Sequence, residues 1–192
     1  MSVSQDTFEL LRASLTLHSP KRATGPGLIE AAVAIVLAPG ADGELELLFI
    51  KRAEEEGDPW SGQMALPGGR REDGDDDLLA TAIRETCEET SIELARGALL
   101  GELDDLAPVT RVLPPIMVRP FVFGLQHKPE VEPSREVALH LWTSLEGLPG
   151  SAGETAVSVP GFEGEVPAYL IGPHVVWGMT HRILSRFFDL VS

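Results

Sequence analysis

The sequence predicts a mixed fold of the α/β (α+β) class, with a buried hairpin and well-separated helices. The first strand, Ile29 to Leu37, is rich in Ala, Val and Ile with little alternation, which is typical of a buried strand. A turn at Pro39–Gly43 joins it to a second strand, Glu44 to Arg52, so the pair is predicted to form a hairpin. Because helices flank this hairpin without regular alternation, the pattern favours α+β or mixed α/β over repeated βαβ units.

Three segments are predicted to be helices. The first is residues 5–17, and the second begins within Asp75–Asp77 and ends near Thr90. The third is predicted to open at Gly172-Pro173, because Pro is favoured at the first helical position, and to end near Leu190. The apolar faces are Phe8, Leu11 and Leu15 in the first helix, and Val176, Met179, Ile183, Phe187 and Leu190 in the third.

The rest of the chain predicts further strands and one irregular stretch. The irregular stretch is Leu145 to Gly161, which is rich in Gly and Pro. No repeat or linker divides the chain, so we expect a helical N-terminal extension at residues 1–26 and one main domain at residues 27–192. The further strands are Leu99–Leu106, Ile116–Gly124, Val137–Thr143 and Pro167–Ile171.

The charge of the chain excludes some partners. The 192 residues carry a formal net charge of -15, which argues against binding to nucleic acids or to anionic membranes. A phosphate-bearing substrate would therefore have to be bound by a metal ion or by local arginines. The single cysteine, Cys87, suits a reducing compartment. No signal-type segment or membrane span is found, so we expect a cytoplasmic protein.

The central helix concentrates carboxylates on one side. At about 100° per residue, Glu89 lies near 40° from Glu85, and Glu88 lies near 300°, so all three fall within an arc of about 100°. Leu79, Ile83, Ala80 and Cys87 lie on the other side. This pattern predicts a helix with an apolar face towards the core, where Cys87 would be a buried thiol, and a separate acidic face.

An acidic face of this kind has two interpretations. Like charges at these spacings repel, which destabilises a helix unless a cation offsets them. Hard cations such as Mg²⁺ or Mn²⁺ take carboxylate oxygens as ligands, whereas the alternative is a solvated acidic surface. Gly68-Gly69 just upstream favours a site, since glycine lets the backbone approach a ligand closely. The acidic run Asp73–Asp77 lacks the spacing of a calcium loop and is better explained by capping of the helix.

These residues match a known pattern. Gly69, followed by Arg84-Glu85-x-x-Glu88-Glu89, resembles the signature of the Nudix hydrolases, in which a glycine, a spacer, an acidic residue and then REx₂EE form a loop–helix–loop. The segments Trp60–Gly69 and Val176–Thr180 look like the coenzyme A pyrophosphatase branch of that family. In this alignment Asp75 stands where the family prefers glutamate, and Ser91 replaces the usual glycine at the helix end.

The resemblance implies a structure and an activity. It implies an α/β/α sandwich with a mixed central sheet and cleavage of a diphosphate linked to another group. It also implies that Glu85, Glu88 and Glu89 bind Mg²⁺ or Mn²⁺, that Gly69 lends its carbonyl to the metal, and that Arg84 orients a glutamate by an ion pair. The branch implies coenzyme A or a derivative as the substrate. Family members are often dimers, which makes a homodimer one possible assembly.

Other residues are candidates for accessory roles. Glu85, Glu132 or Glu136 could act as the general base that deprotonates the attacking water. Arginine binds phosphate bidentately, and the alternative for each arginine near the site is an ion pair with the abundant acids. Trp60 and Phe121 could stack on a base, although a core role is favoured for both. The arginines considered for substrate binding are Arg52, Arg70 and Arg71.

Three functions remain open at this point. The first is a diphosphatase acting on coenzyme A or a derivative, which releases 3′,5′-ADP and 4′-phosphopantetheine. The second is the same chemistry on ADP-ribose, a dinucleoside polyphosphate or a damaged nucleotide. The third is a domain that binds a nucleotide without cleaving it. The third is disfavoured because such a domain has no need of all three glutamates.

Overall fold

The computed structural model describes residues 3–56, 60–108, 115–159 and 162–191. The helices are α1 (Val3–Leu17), α2 (Leu78–Thr90) and α3 (Gly178–Val191). The first five strands are β1 (Ile29–Pro39), β2 (Leu45–Arg52), β3 (Met64–Ala65), β4 (Gly68–Arg70) and β5 (Leu99–Glu102). The others are β6 (Ile116–Gly124), β7 (Val137–Ser144), β8 (Ala152–Val159), β9 (Phe162–Ile171) and β10 (His174–Trp177).

A seven-stranded mixed sheet forms the centre of the fold. Its order is β3–β2–β1–β6–β5, with β4 paired to β1 and β7 paired to β2. Strands β1 and β6 run parallel. The predicted hairpin is confirmed, but β1 and β2 pair only where Leu37–Pro39 meets Leu45–Leu47. Further along, β1 pairs with β4 and β2 pairs with β3, so the two hairpin strands diverge and β3 and β4 lie between them.

Alternate residues of β1 face two separate hydrophobic clusters. Ala31 and Ile35 pack in the cluster that contains α1 and α3, whereas Ala32 and Ala34 pack in the cluster that contains α2. Successive side chains of a strand point to opposite faces of the sheet. Helices α1 and α3 therefore cover one face and α2 covers the other, which confirms the predicted α/β/α sandwich with a mixed central sheet.

The prediction of an irregular stretch at Leu145–Gly161 was wrong, because β8 lies within it. Strands β8, β9 and β10 form a second, antiparallel sheet with β9 in the middle. The side chains of β8 alternate between exposed and half-buried, and none is fully buried. A strand of small residues with this exposure lacks the alternation of large apolar side chains from which strands are predicted. Residues 160 and 161 lie outside the described part of the chain.

The C-terminal helix begins later than predicted. Gly172 adopts a left-handed conformation, with φ of 57°, in the turn between β9 and β10. Val176 and Trp177 therefore belong to β10, and α3 starts at Gly178, whose φ is 66°. The remaining residues of the predicted apolar face, from Met179 onwards, do pack against the α1–α3 cluster. The strand predicted over Leu99–Leu106 ends at Glu102.

Helix α1 packs into the same core as the main sheet. Phe8, Leu11 and Leu15 are buried in the cluster that also contains α3, as their spacing predicted. The helix lies close to β5, because a Cβ atom added at Gly101 would lie 2.6 Å from the Cβ of Leu15. Within the described residues, no helix has both the length and the apolar character needed to cross a membrane.

Candidate active site

Helix α2 has well-formed caps at both ends. The carboxylate of Asp77 accepts a hydrogen bond of 2.7 Å from the backbone N–H of Ala80, which satisfies one of the free donors of the first turn. At the other end Ser91 adopts a left-handed conformation, with φ of 60°, and its N–H donates to the carbonyl of Cys87. The interpretation of the acidic run as a helix cap is therefore confirmed for Asp77.

The orientation of α2 differs from the predicted one. Cys87 is exposed, so the prediction that it is a core thiol was wrong. Glu89, in contrast, is only 5% exposed and lies on the face that packs against the sheet. The acidic face and the buried face therefore overlap instead of lying opposite each other. The buried residues of the helix are Leu78, Thr81, Ala82, Thr86, Glu89 and Thr90.

The threonines explain this difference. Thr86 donates its hydroxyl hydrogen bond to the carbonyl of Ala82, and Thr90 donates to the carbonyl of Thr86. Because each hydroxyl is satisfied inside the helix, these side chains can be buried without a further polar partner. A pattern based on aliphatic residues places the buried face towards Ile83, which the structure leaves half-buried.

Asp75 fixes the position of Arg84. The Nε and Nη2 atoms of Arg84 each donate a hydrogen bond of 3.0 Å to the Asp75 carboxylate, and the Thr81 hydroxyl donates to the same carboxylate at 2.9 Å. Asp75 is 7% exposed. The hydrogen bonds from Arg84 hold the pKa of Asp75 well below its usual range. The sequence reasoning gave Asp75 no such role, although its position in the spacer after Gly69 was the available signal.

The third nitrogen of Arg84 contacts two of the three glutamates. Its Nη1 atom donates to Oε1 of Glu85 at 2.9 Å and to Oε2 of Glu88 at 3.0 Å. Its Nη2 atom also donates to the carbonyl of Arg70, in the strand that precedes the helix. Arg84 thus links the acidic helix to Asp75 and to β4, which fits the orienting role expected from the resemblance.

Glu89 is a buried carboxylate directed at the glycine loop. Its Oε2 atom accepts a hydrogen bond of 2.8 Å from the N–H of Gly68. Burial raises the pKa of Glu89 to about 8, although the hydrogen bond from Gly68 acts in the opposite direction. Burial also raises the pKa of Glu85, against the opposing effect of Arg84. The two carboxylates are therefore held where their negative charges are costly without a cation.

The two glycines allow this close approach. Gly68 has φ of 151°, and a Cβ atom added there would lie 2.2 Å from the carbonyl oxygen of Ala32. A Cβ atom added at Gly69 would lie 2.4 Å from Cδ of Glu85. Any other residue at either position would overlap the backbone of β1 or the carboxylate of Glu85. Glycine is therefore required for the strand and the acidic helix to meet.

These elements border a cavity of about 390 Å³ at the place where β1 and β2 diverge. Six of the predicted site residues line it: Arg52, Gly69, Arg70, Glu85, Glu89 and Glu136. Arg84 and Glu88 are not among the lining residues. Side chains from α3, namely Met179, Thr180 and Ile183, also line the cavity, and none of them was predicted to do so.

Comparison with known protein families agrees with this geometry. A family model described as the NUDIX domain matches residues 28–158. The chain belongs to the Nudix family. It is a Nudix hydrolase, a class that acts on phosphoanhydride bonds.

Known relatives and structures support the same membership. The chain is 30% identical over 167 residues to a mitochondrial coenzyme A diphosphatase of Mus musculus, a match that covers 84% of this chain and 79% of that protein. A protein of Schizosaccharomyces pombe is 36% identical over 107 residues, but this match covers 53% of this chain and only 32% of that protein. The crystal structure of a MutT/nudix family protein from Enterococcus faecalis shares the fold, with a TM-score of 0.60 and 14% identity over 100% of this chain and 75% of that one.

The remaining candidates fall into two groups within this Nudix fold. Arg71 donates to Glu30 at 2.8 Å and to the carbonyls of Asp75 and Asp76, which is the ion-pairing alternative considered for the arginines. Phe121 is buried in the core, as favoured, whereas Trp60 lines the cavity. Glu132 is exposed, and its N–H donates to the carbonyl of Thr90.

The carboxylates of this Nudix site fit a hard divalent cation. Among the residues that the structure describes, no three His, Cys, Asp or Glu side chains surround a common point. One reason is that the Glu88 carboxylate is bonded to Arg84, while Glu89 is bonded to Gly68. Even so, Glu85 and Glu89 are adjacent buried carboxylates whose charged forms a cation would stabilise. Oxygen ligands of this type are those that Mg²⁺ and Mn²⁺ take.

Proposed function

We propose that this Nudix hydrolase is a metal-dependent diphosphatase that cleaves coenzyme A or a coenzyme A derivative to 3′,5′-ADP and 4′-phosphopantetheine. The observation that carries the proposal is the pair of buried carboxylates, Glu85 and Glu89, beside Arg52 and Arg70 in one cavity. The choice of substrate is supported by the name of the mouse relative, which is called a coenzyme A diphosphatase.

In this proposal the glutamates of α2 hold the metal. Glu85 and Glu89 would bind Mg²⁺ or Mn²⁺ from the cavity side, Glu88 from the edge of the helix, and Gly69 through its carbonyl. When bound, the metal neutralises phosphate charge and lowers the pKa of a coordinated water. Arg84 positions Glu85 and Glu88 through the hydrogen bonds from its Nη1 atom.

The substrate and the attacking water are handled by other residues. Arg52 and Arg70 would bind phosphate oxygens, since both line the cavity. Glu136 would accept the proton of the attacking water as its oxygen bonds to phosphorus and the phosphoanhydride P–O bond breaks. Glu136 is favoured over Glu132 because Glu136 lines the cavity together with Glu85 and Glu89. Glu85 remains the alternative base.

A second substrate class is supported by one observation. The indole of Trp60 lines the cavity, where it could stack on a nucleobase or a nicotinamide-type ring. This contact favours ADP-ribose or a dinucleoside polyphosphate as the alternative substrate. A purely binding domain is less consistent with the site, because buried like charges without a catalytic role would only destabilise the fold.

A substrate panel tests the proposal directly. The protein is incubated with coenzyme A, ADP-ribose and diadenosine tetraphosphate, each with Mg²⁺ or Mn²⁺, and the products are identified by mass spectrometry. Release of 3′,5′-ADP and 4′-phosphopantetheine is the expected result, and chelation of the metal should stop it. Turnover of another nucleotide with no cleavage of coenzyme A would contradict the proposal. Location in the cytoplasm and a homodimer remain predictions, testable by cell fractionation and light scattering.

A further inference from the structure

The cavity has two halves of different chemistry. The acidic half is formed by Glu85, Glu89 and Glu136, beside Arg52 and Arg70. The aliphatic half is formed by Met64, Leu66, Ile116, Val118, Met179 and Ile183. The acidic half receives its helical residues from α2, on one face of the central sheet, while the aliphatic half receives its helical residues from α3, on the other face.

The aliphatic half is part of the hydrophobic core. Met64, Leu66, Ile116, Val118 and Ile183 are between 3% and 6% exposed, and all belong to the cluster that contains α1 and α3. Met179 packs against the same cluster. Methionine is unbranched and adapts its shape to an irregular apolar ligand. Apart from Trp60, no aromatic residue is found among the described residues that line the cavity.

This composition does not suit a planar ring. A nucleobase is usually held by stacking on aromatic side chains and by hydrogen bonds to its edge. The side chains that α3 contributes are instead two apolar ones and the Thr180 hydroxyl, and none of them is charged. An elongated chain of methylene groups with an occasional amide matches such a lining, since the apolar surface covers the methylenes and the hydroxyl can bond to the amide.

We propose that the aliphatic half binds the flexible, largely aliphatic arm that the substrate carries on one side of its diphosphate, and that Met179 and Ile183 select for this arm. The inference rests on the proposed function, which it sharpens by assigning the arm to α3 and the diphosphate to the acidic half. Substrate choice is thereby separated from the chemical step, since the two are performed on opposite faces of the sheet.

The second sheet holds this part of α3 in place. Strand β10 pairs with β9 up to Trp177, which is followed directly by Gly178 with its left-handed φ of 66°. The chain therefore passes from strand to helix without a loop, and Met179 and Thr180 lie in the first turn of α3. Val176, the preceding buried residue of β10, anchors this turn in the α1–α3 cluster.

The test uses Met179→Gln, which keeps the length of the side chain but makes it polar. The expected result is a roughly tenfold higher KM for coenzyme A, because a polar group now faces the arm, with kcat within about twofold of the wild type. Met179→Leu should restore the KM. Arg182→Gln, an exposed change on the same helix, is the matched control and should behave as the wild type.

Binding of fragments separates this inference from the proposed function. Pantetheine has no phosphate, so its binding to the metal-free protein can be measured by calorimetry without any turnover. We expect Met179→Gln to weaken pantetheine binding about tenfold and to leave binding of 3′,5′-ADP unchanged. Pantetheine binding without cleavage of coenzyme A would overturn the proposed function and support the inference. Cleavage of coenzyme A with equal pantetheine binding in wild type and Met179→Gln, or with none in either, would overturn the inference alone.

Discussion

Helices α2 and α3 border the same cavity from opposite faces of the central sheet, but they contribute to it in different ways. Helix α2 brings Glu85 and Glu89, held by hydrogen bonds from Arg84 and from the N–H of Gly68. Helix α3 brings Met179 and Ile183, which pack with the core. A site can therefore be built half from a polar network that few other functions explain, and half from apolar residues that any core helix would contain.

This difference predicts different responses to mutation. Changes in the polar network of α2 should reduce kcat, because they disturb the groups nearest the reacting phosphorus. Changes in α3 should alter substrate affinity or the free energy of unfolding, because the contacts of that helix are apolar. The experiments below test whether the comparison holds, beginning with the largest effect.

The largest effect is expected for Glu89→Gln. Loss of a metal-binding carboxylate removes several kcal/mol of transition-state stabilisation, so kcat should fall on the order of 10³-fold. Glu88→Gln should have a smaller effect, since the Glu88 side chain is 58% exposed and lies at the edge of the helix. Steady-state kinetics at saturating Mg²⁺ measures both, with circular dichroism to show that each variant is folded. A stronger effect of Glu88→Gln would place the metal on the outer side of α2.

Asp75→Asn should reduce both activity and stability. The substitution weakens the pair that holds Arg84, so kcat is expected to fall about 10- to 100-fold, as for other residues that position metal ligands. Breaking a buried ion pair should also lower the free energy of unfolding by about 3 kcal/mol. Kinetics and urea unfolding at pH 7 measure these two losses. Unchanged kcat would show that Glu85 and Glu88 need no support from this pair.

The pH dependence of unfolding provides an independent test of Asp75. Its pKa is lowered in the folded state by Arg84, relative to a usual value of 3.8. Folding therefore gains stability from Asp75 above that value, and the gain is lost as the pH falls below it towards the folded-state pKa. The difference in unfolding free energy between wild type and Asp75→Asn should be largest near pH 7 and should shrink in acid. A difference that stays constant down to acid pH would contradict this ion pair.

Gly69→Ala and Gly101→Ala form a matched pair with opposite expected results. At Gly69 the new methyl group would lie 2.4 Å from Cδ of Glu85, so the carboxylate must move and kcat should fall roughly tenfold. At Gly101 the methyl group would meet Leu15 of α1, which should lower the melting temperature without changing kcat. If Gly69→Ala affects only the melting temperature, the position of Glu85 is not critical for turnover.

The smallest effect is expected for Asp77→Ala. This change removes the cap of α2 and should lower the free energy of unfolding by about 1 kcal/mol. Asp77 is exposed and does not line the cavity, so kcat should change by less than about twofold. Chemical unfolding and kinetics on the same preparation measure both quantities. A large loss of kcat would mean that the start of α2, and not only its centre, takes part in the reaction.

The sequence was informative where a few residue types at fixed spacing have one main explanation. The hairpin of β1 and β2, the cap at Asp77 and the sandwich of layers were all predicted correctly. Predictions failed where the signal depends on large apolar side chains. The small residues of β8 did not indicate a strand, and the threonines of α2 were not recognised as its buried face.

The sequence by itself determined that the chain is a Nudix hydrolase with glutamates concentrated on one helix, because charge repulsion and glycine requirements leave little freedom at those positions. Only the tertiary structure decided that Glu89 is buried and that Asp75 holds Arg84. It alone also showed that α3 completes the cavity from the far side of the sheet. These features depend on which faces meet across the sheet, and apolar residues with many acceptable neighbours do not specify that contact in sequence.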